Sequence, residues 1–148
     1  LEVMRDSRIG SFGVMALILV TLARLAGLAA LWAPWMQVTT LVVVAAASRA
    51  TMVALMATLP PARGDGLGAE AGSPHAVRVG LALLVPAVLA VALLGPGPAL
   101  VLLATAAVVT AIWAWLARRC FGGQTGDVLG AGQQLVEAGM LLAVTVLR

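Results

Sequence analysis

The sequence predicts an all-α fold, a polytopic transmembrane helix bundle of about five membrane-spanning helices, on three observations. Hydrophobic residues make up 62% of the 148-residue chain and charged residues 10%, against about 25% charged in ordinary soluble proteins. Mean hydropathy is +1.08. Apolar runs recur along the chain, each long enough to cross a bilayer core at about 1.5 Å per helical residue, with polar or Pro/Gly-rich breaks between them.

The runs cover residues 14–33, 38–59, 77–94, 99–116 and 128–147. Trp32-Ala33-Pro34-Trp35 closes the first without a charge, and Pro60-Pro61 stops the second, because proline lacks the amide proton and clashes with the preceding turn. A polar loop follows at 62–74. Pro86 sits near the middle of the third run and predicts a kink. Gly95-Pro96-Gly97-Pro98 reads as a tight uncharged turn before the fourth run. No repeat and no soluble domain interrupts the series, so residues 1–148 read as a single integral-membrane domain.

Five spans place the polar loops alternately on two sides. Arg5, Arg8, Arg63, Arg118 and Arg119 fall on one side, with Arg78 just inside the next helix, whereas the two opposite loops carry no arginine. By the positive-inside rule the arginine-rich side is cytoplasmic. Trp113 and Trp115 then fit an inner aromatic belt, and Trp32 and Trp35 an outer one. The net charge of +3 comes from nine arginines and no lysine against six acids. These arginines are scattered among apolar runs and form no basic patch, which excludes nucleic acid as a partner; membrane lipid is the expected surrounding. Cys120 alone cannot form an internal disulfide, and it reads as a small apolar filler. The charged opening, with no cleavage site after it, predicts no signal peptide. The chain opens on Leu1, which predicts an N-terminal part beyond these residues.

The stretch Gly122-Gly123-Gln124-Thr125-Gly126-Asp127 opens directly into the last hydrophobic run. Its plain reading is a glycine hinge with Thr125 or Asp127 as helix N-cap. A glycine-rich turn at a helix N-terminus also suits a phosphate, and Asp127 suits a metal ion. Asp127, Gly130, Gln134 and Glu137 follow at helical spacing and share one face. Glu2, Asp6, Asp65, Glu70 and Asp127 all fall on the arginine-rich side. Carboxylates for a divalent cation and arginines for phosphate oxygens meeting at one mouth would suit phosphoryl transfer. Arg24, Arg49 and Glu137 lie within spans, where an ionised group costs a few kcal/mol, so they should pair, face the interior or line a wet cavity. An interhelical ion pair of Arg24 or Arg49 with Glu137 is the structural expectation; substrate anchoring or a proton path is the functional one. His75 reads as a solvated interfacial residue, and the methionines as apolar packing.

Three groups of residues resemble a known family. Met4-Arg5-Asp6-Ser7-Arg8-Ile9-Gly10 with Gly13 is similar to the M-R-D-S-R-x-G-x-x-G segment of the cobalamin synthases, the adenosylcobinamide-GDP ribazoletransferases. Ser48-Arg49, Ala62-Arg63 and Gly66-Leu67-Gly68 resemble that family's S-R and A-R-x-x-G-L-G segments. Gly122 to Asp127, with Leu129-Gly130-Ala131, is similar to its G-G-x-T-G-D-x-L-G-A segment. The matches keep family order over nearly the whole chain, and the two end motifs together are the specific part.

The resemblance implies a magnesium-dependent bacterial inner-membrane phosphotransferase with its active face in the cytoplasm. It would join adenosylcobinamide-GDP to alpha-ribazole, or to alpha-ribazole 5′-phosphate, and release GMP. Carried onto this chain, Asp6 and Asp127 are the candidate Mg²⁺ ligands and, with Arg5 and Arg8, the candidate catalytic residues. Arg63, Gly122, Gly123, Gln124 and Thr125 are the candidate substrate-binding residues. A homo-oligomer is compatible with the sequence. One departure is clear: the family's H-x-D-G-x-A-D motif, expected shortly before the M-R-D-S-R segment, has no counterpart here, which predicts that the chain is a C-terminal portion of a longer enzyme. Two alternatives remain open. A CDP-alcohol phosphotransferase would carry D-G-x-x-A-R, which is missing. A small transporter with Arg24, Arg49 and Glu137 on its path would show less charge asymmetry between its loops.

Overall fold

A computed structural model describes residues 10–62 and 72–147. Five α-helices follow one another: α1 (Ser11–Ala29), α2 (Pro34–Thr58), α3 (Ala76–Leu94), α4 (Pro96–Phe121) and α5 (Gly126–Ala143), the last continued by a 3₁₀ turn at Val144–Leu147. All five are long and apolar enough to cross a membrane, as the hydropathy of the sequence predicts.

Helix ends depart from the apolar runs where proline sets them. Helices α2 and α4 begin at Pro34 and Pro96, ahead of the first continuous apolar residues, because proline at the first helical position loses no hydrogen bond and has its φ preset. The expected four-residue turn at 95–98 therefore shrinks to Gly95, whose φ of 82° only glycine adopts easily. Pro86 stays inside α3, and it is buried.

The helices alternate in direction, so the starts of α1, α3 and α5 share one end of the bundle with the ends of α2 and α4. This end is the arginine-rich one. Helix α2 packs against α3 and α5, α4 against α3 and α5, and α1 against α5 alone at any length. Only Gly27 of the nineteen residues in α1 is buried. It also marks a close approach of α1 to α5: a Cβ at Gly27 would strike the Leu141 carbonyl.

Two apolar clusters fill the interior. The larger gathers Val43, Val44, Ala90, Leu102, Val136, Met140 and Leu141 toward the end away from the arginines. The smaller, under the arginine-rich end, gathers Leu55, Leu59, Ala117, Val128 and Leu129, with Trp113 packed against it. The outward faces carry exposed Leu, Val and Ile, such as Leu17, Leu84 and Ile112, the pattern of helices surrounded by lipid.

The tryptophans divide differently from the expected belts. Trp32 and Trp35 are well exposed at one end, and Trp115 is exposed at the other. Trp113 instead turns inward and donates its indole Nε1–H to the Val128 carbonyl at 2.8 Å. Helix α5 accommodates the ring at Gly132, where a Cβ would sit 2.6 Å from it.

Candidate functional site

The 122–127 stretch is shaped by glycine. Gly122 ends α4 in a left-handed conformation, φ 76°, the usual helix C-terminal device. Gly123 has no room for a side chain, because a Cβ there would collide with the Pro60 carbonyl oxygen. That close approach lets two distant segments pair as a parallel bridge between Pro61 and Gln124. The Gln124 amide donates to the Pro60 carbonyl at 2.8 Å, and the Ala62 amide donates to the Gln124 carbonyl at 2.9 Å. The Arg118 guanidinium donates to the Thr58 carbonyl beside them, which satisfies a C-terminal carbonyl of α2.

The turn is therefore a clip as well as a loop. It fastens the end of α2 to the junction of α4 and α5, and Ala62, the residue before Arg63 in the chain, is held against Gln124. Thr125 is the N-cap of α5, its hydroxyl accepting from the Val128 amide at 3.3 Å. Asp127 stands exposed in the first turn, where the helix dipole favours a negative charge. The first amides of α5, at Gly126 and Asp127, belong to the group that has no carbonyl partner within a helix, so they face any anion brought to this end.

Among the expected site residues, Gly122, Gly123, Gln124, Thr125 and Asp127 come together here. Arg5, Asp6, Arg8 and Arg63 lie outside the described residues. Within the turn the roles separate. Both backbone groups of Gln124 are taken by the 60–62 segment, and its side chain is 2% exposed, with Oε1 lacking a hydrogen-bond partner among the described residues. Gly122 is exposed, Thr125 half-buried. Asp127 is the carboxylate presented at the mouth, and no group of three or more His, Cys, Asp or Glu side chains assembles a metal site among the described residues. Arg119 lies over the Trp115 ring at 4.8 Å, turned to the flank rather than the turn. Sequence reasoning missed the 60–62 partner of the turn.

Deeper along α5 lies a polar network. Arg24 of α1 pairs with Glu137 at 3.3 Å and also donates to the side-chain amide oxygen Oε1 of Gln134. Of the two arginines offered by the sequence, it is thus Arg24 that pairs with Glu137. Gln133 donates to Glu137 at 2.6 Å and to the Ser48 hydroxyl of α2 at 3.3 Å. Gln134 donates to Gln133 at 2.8 Å. Arg49 turns back along its own helix to the Ala45 carbonyl at 3.0 Å.

Comparison with known proteins agrees with this arrangement of motifs. Residues 1–145 match the model of the CobS family, described as cobalamin-5-phosphate synthase. A protein of Bradyrhizobium diazoefficiens named adenosylcobinamide-GDP ribazoletransferase is 45% identical over 142 residues, covering 96% of this chain and 55% of the relative. Proteins of the same name from Azorhizobium caulinodans and Mesorhizobium japonicum are 45% and 42% identical, covering 99% of this chain and 58% and 56% of themselves. The chain thus spans little more than half the length of the curated relatives it matches. No solved structure matches it. With motifs in order, five spanning helices and the family match running from end to end, the chain belongs to the cobalamin-5-phosphate synthase family.

Proposed function

We propose that the protein works in the last joining step of cobalamin nucleotide-loop assembly. It transfers the cobinamide phosphoryl arm of adenosylcobinamide-GDP to a ribose hydroxyl of alpha-ribazole or its 5′-phosphate and releases GMP. The observation that carries this reading is the clip: it holds the segment leading into Arg63 against the Gly122–Asp127 turn at one end of the bundle. The relatives' name supports the substrate pair.

Phosphoryl transfer needs positioning and charge neutralisation more than covalent participation by the protein. The helix α5 N-terminus offers free amides and a positive dipole end to the pyrophosphate. Arg63, Arg5 and Arg8 supply bidentate donors for its oxygens. Asp127 is a hard, solvent-facing oxygen donor, and Mg²⁺ is commonly held by only one or two carboxylates plus substrate phosphates, so the residues at this mouth fit the ion. Asp127 and Asp6 would hold it, and when bound it supplies charge neutralisation on the pyrophosphate. The arginine-rich end is the cytoplasmic face of a bacterial inner membrane in this reading. The family match does not favour a phospholipid-precursor transferase or a transporter.

The test is GMP release from adenosylcobinamide-GDP and alpha-ribazole by the protein in membranes. Asp127→Asn keeps the fold, since the side chain is exposed, and lowers turnover by about a hundredfold or more, the scale expected when charge stabilisation at a reacting centre is removed. EDTA abolishes release and added Mg²⁺ restores it. Full turnover by Asp127→Asn would overturn the metal assignment.

A further inference from the structure

The polar network lies at a depth where polarity needs a reason. Glu137 is ten residues into α5 from Asp127, about 15 Å at 1.5 Å per residue. Arg49 is nine residues from the end of α2 at Thr58, about 14 Å deep by the same rise. Both lie near the middle of a hydrocarbon core about 30 Å thick. Yet these groups are not sealed in the bundle. The Arg24 and Glu137 side chains keep 24% and 19% of their surface exposed, and Gln134 and Arg49 are exposed outright. A charged side chain facing lipid at this depth costs about 2.5–3.5 kcal/mol even on the most lenient scale.

The helix arrangement supplies the reason. Helices α1 and α2 meet at their hairpin, where Gln37 reaches the Leu31 carbonyl at 2.9 Å. Toward the arginine-rich end α1 runs along α5 and not along α2. The space between α1 and α2 is therefore a cleft floored by α5. Its floor carries Gly130, Gln134 and Glu137, one wall carries Arg24, and the other carries Arg49, next to Ser48, which is fully buried against Gln133. Arg49 follows Ser48 by about 100° around α2, on the flank away from the Ala47 and Ala50 face that lines the α3–α4 side. Beside Gly130 there is open space. The Arg24 Nε–H is buried and has no partner among the described residues. The stripe rises to Asp127 at the mouth.

We propose that this cleft is a water-filled groove within the membrane and seats a neutral, amide- or hydroxyl-rich part of the substrate below the reacting pyrophosphate, an assignment of ligand that rests on the proposed function. Charge selects the ligand class. Arg24 and Glu137 cancel one another, and Gln133 spends its amide protons on Glu137 and Ser48, which leaves the exposed carboxamide of Gln134 as the group that both donates and accepts toward the cleft. Such a surface matches neutral groups with several hydrogen bonds to make, and gives an anion little beyond Arg49.

Thiol reactivity tests this, because the thiolate, which forms only where water reaches, is the species that attacks a charged methanethiosulfonate and displaces its sulfinate. In a Cys120→Ser background in lipid nanodiscs, Gly130→Cys and Gln134→Cys react at least about tenfold faster than Leu142→Cys, a lipid-facing position on the same helix. Adenosylcobinamide-GDP slows the reaction at both cleft positions and leaves Leu142→Cys unchanged. Rates at both cleft positions no faster than at Leu142→Cys would overturn the proposal, showing the cleft filled by lipid or another helix. Fast labelling that adenosylcobinamide-GDP does not slow overturns the ligand assignment. Protection without any GMP release leaves the cleft standing and removes the proposed reaction instead. Two positions are used so that one misfolded variant does not decide the result.

Discussion

At Gly123 the chain has no space for even a methyl group, since the Pro60 carbonyl occupies the place where it would go. Gly123→Ala must push the turn off the 60–62 segment and break both bridging hydrogen bonds. It is expected to lower the thermal midpoint in detergent and to abolish GMP release while leaving the helix content measured by circular dichroism intact. Gly122→Ala is milder. It forces a non-glycine residue into the left-handed region with nothing crowding it, a cost of about 1 kcal/mol. Both glycines were visible in the sequence as a turn. Their partner was not: Pro60-Pro61 reads as a local helix stop, and a hydrogen bond between two local breaks leaves no periodicity to find.

Among the elements, α1 depends on α5 more than its hydropathy reveals. Its polar tie is the Arg24–Glu137 pair with Gln134, and its close packing is at Gly27. Arg24→Gln leaves Glu137 with its charge unpaired at mid-membrane depth, where an ionised group costs a few kcal/mol. Arg24→Gln/Glu137→Gln removes both charges and should recover most of that loss. Thermal unfolding of the two variants in the same lipid checks the order: the single variant is the less stable. Helix number and the pairing of Glu137 with a mid-span arginine were legible, because a charge in an apolar run requires a partner, whereas the choice of Arg24 over Arg49 was not. The parting of α1 from α2 was not. Hydropathy says which segments enter the membrane, and it is silent on which of them touch.

For the whole molecule, orientation is the first property to measure. Cys120 is exposed at the arginine-rich end and is the single cysteine in the chain. The proposed cytoplasmic placement of that end, read from the positive-inside rule, requires that a membrane-impermeant maleimide label Cys120 in inside-out vesicles and leave it unlabelled in intact spheroplasts. The reverse result would put the proposed site on the wrong side for a cytoplasmic nucleotide. At this scale the sequence speaks through the charge asymmetry between its loops, which is a count rather than a fold. The grouping of Asp127 with the segments at 4–10 and 62–68 came from the alternation of loops and from the resemblance, and the clip at Ala62 is the part of it that the described residues display.

The dependence of α1 on α5 also sets an order of events during synthesis. Arg24 and Gln134 are 110 residues apart. At roughly 5–20 residues per second, α1 leaves the ribosome on the order of 5–20 s before its neighbour exists. For that interval Arg24 sits in the translocon or bilayer with no carboxylate from α5 to meet it. Helix α1 is thus kept waiting by α5, and a chain whose translation stops before Glu137 presents Arg24 in the membrane without this carboxylate, the kind of defect by which membrane quality-control proteases can recognise an unfinished product.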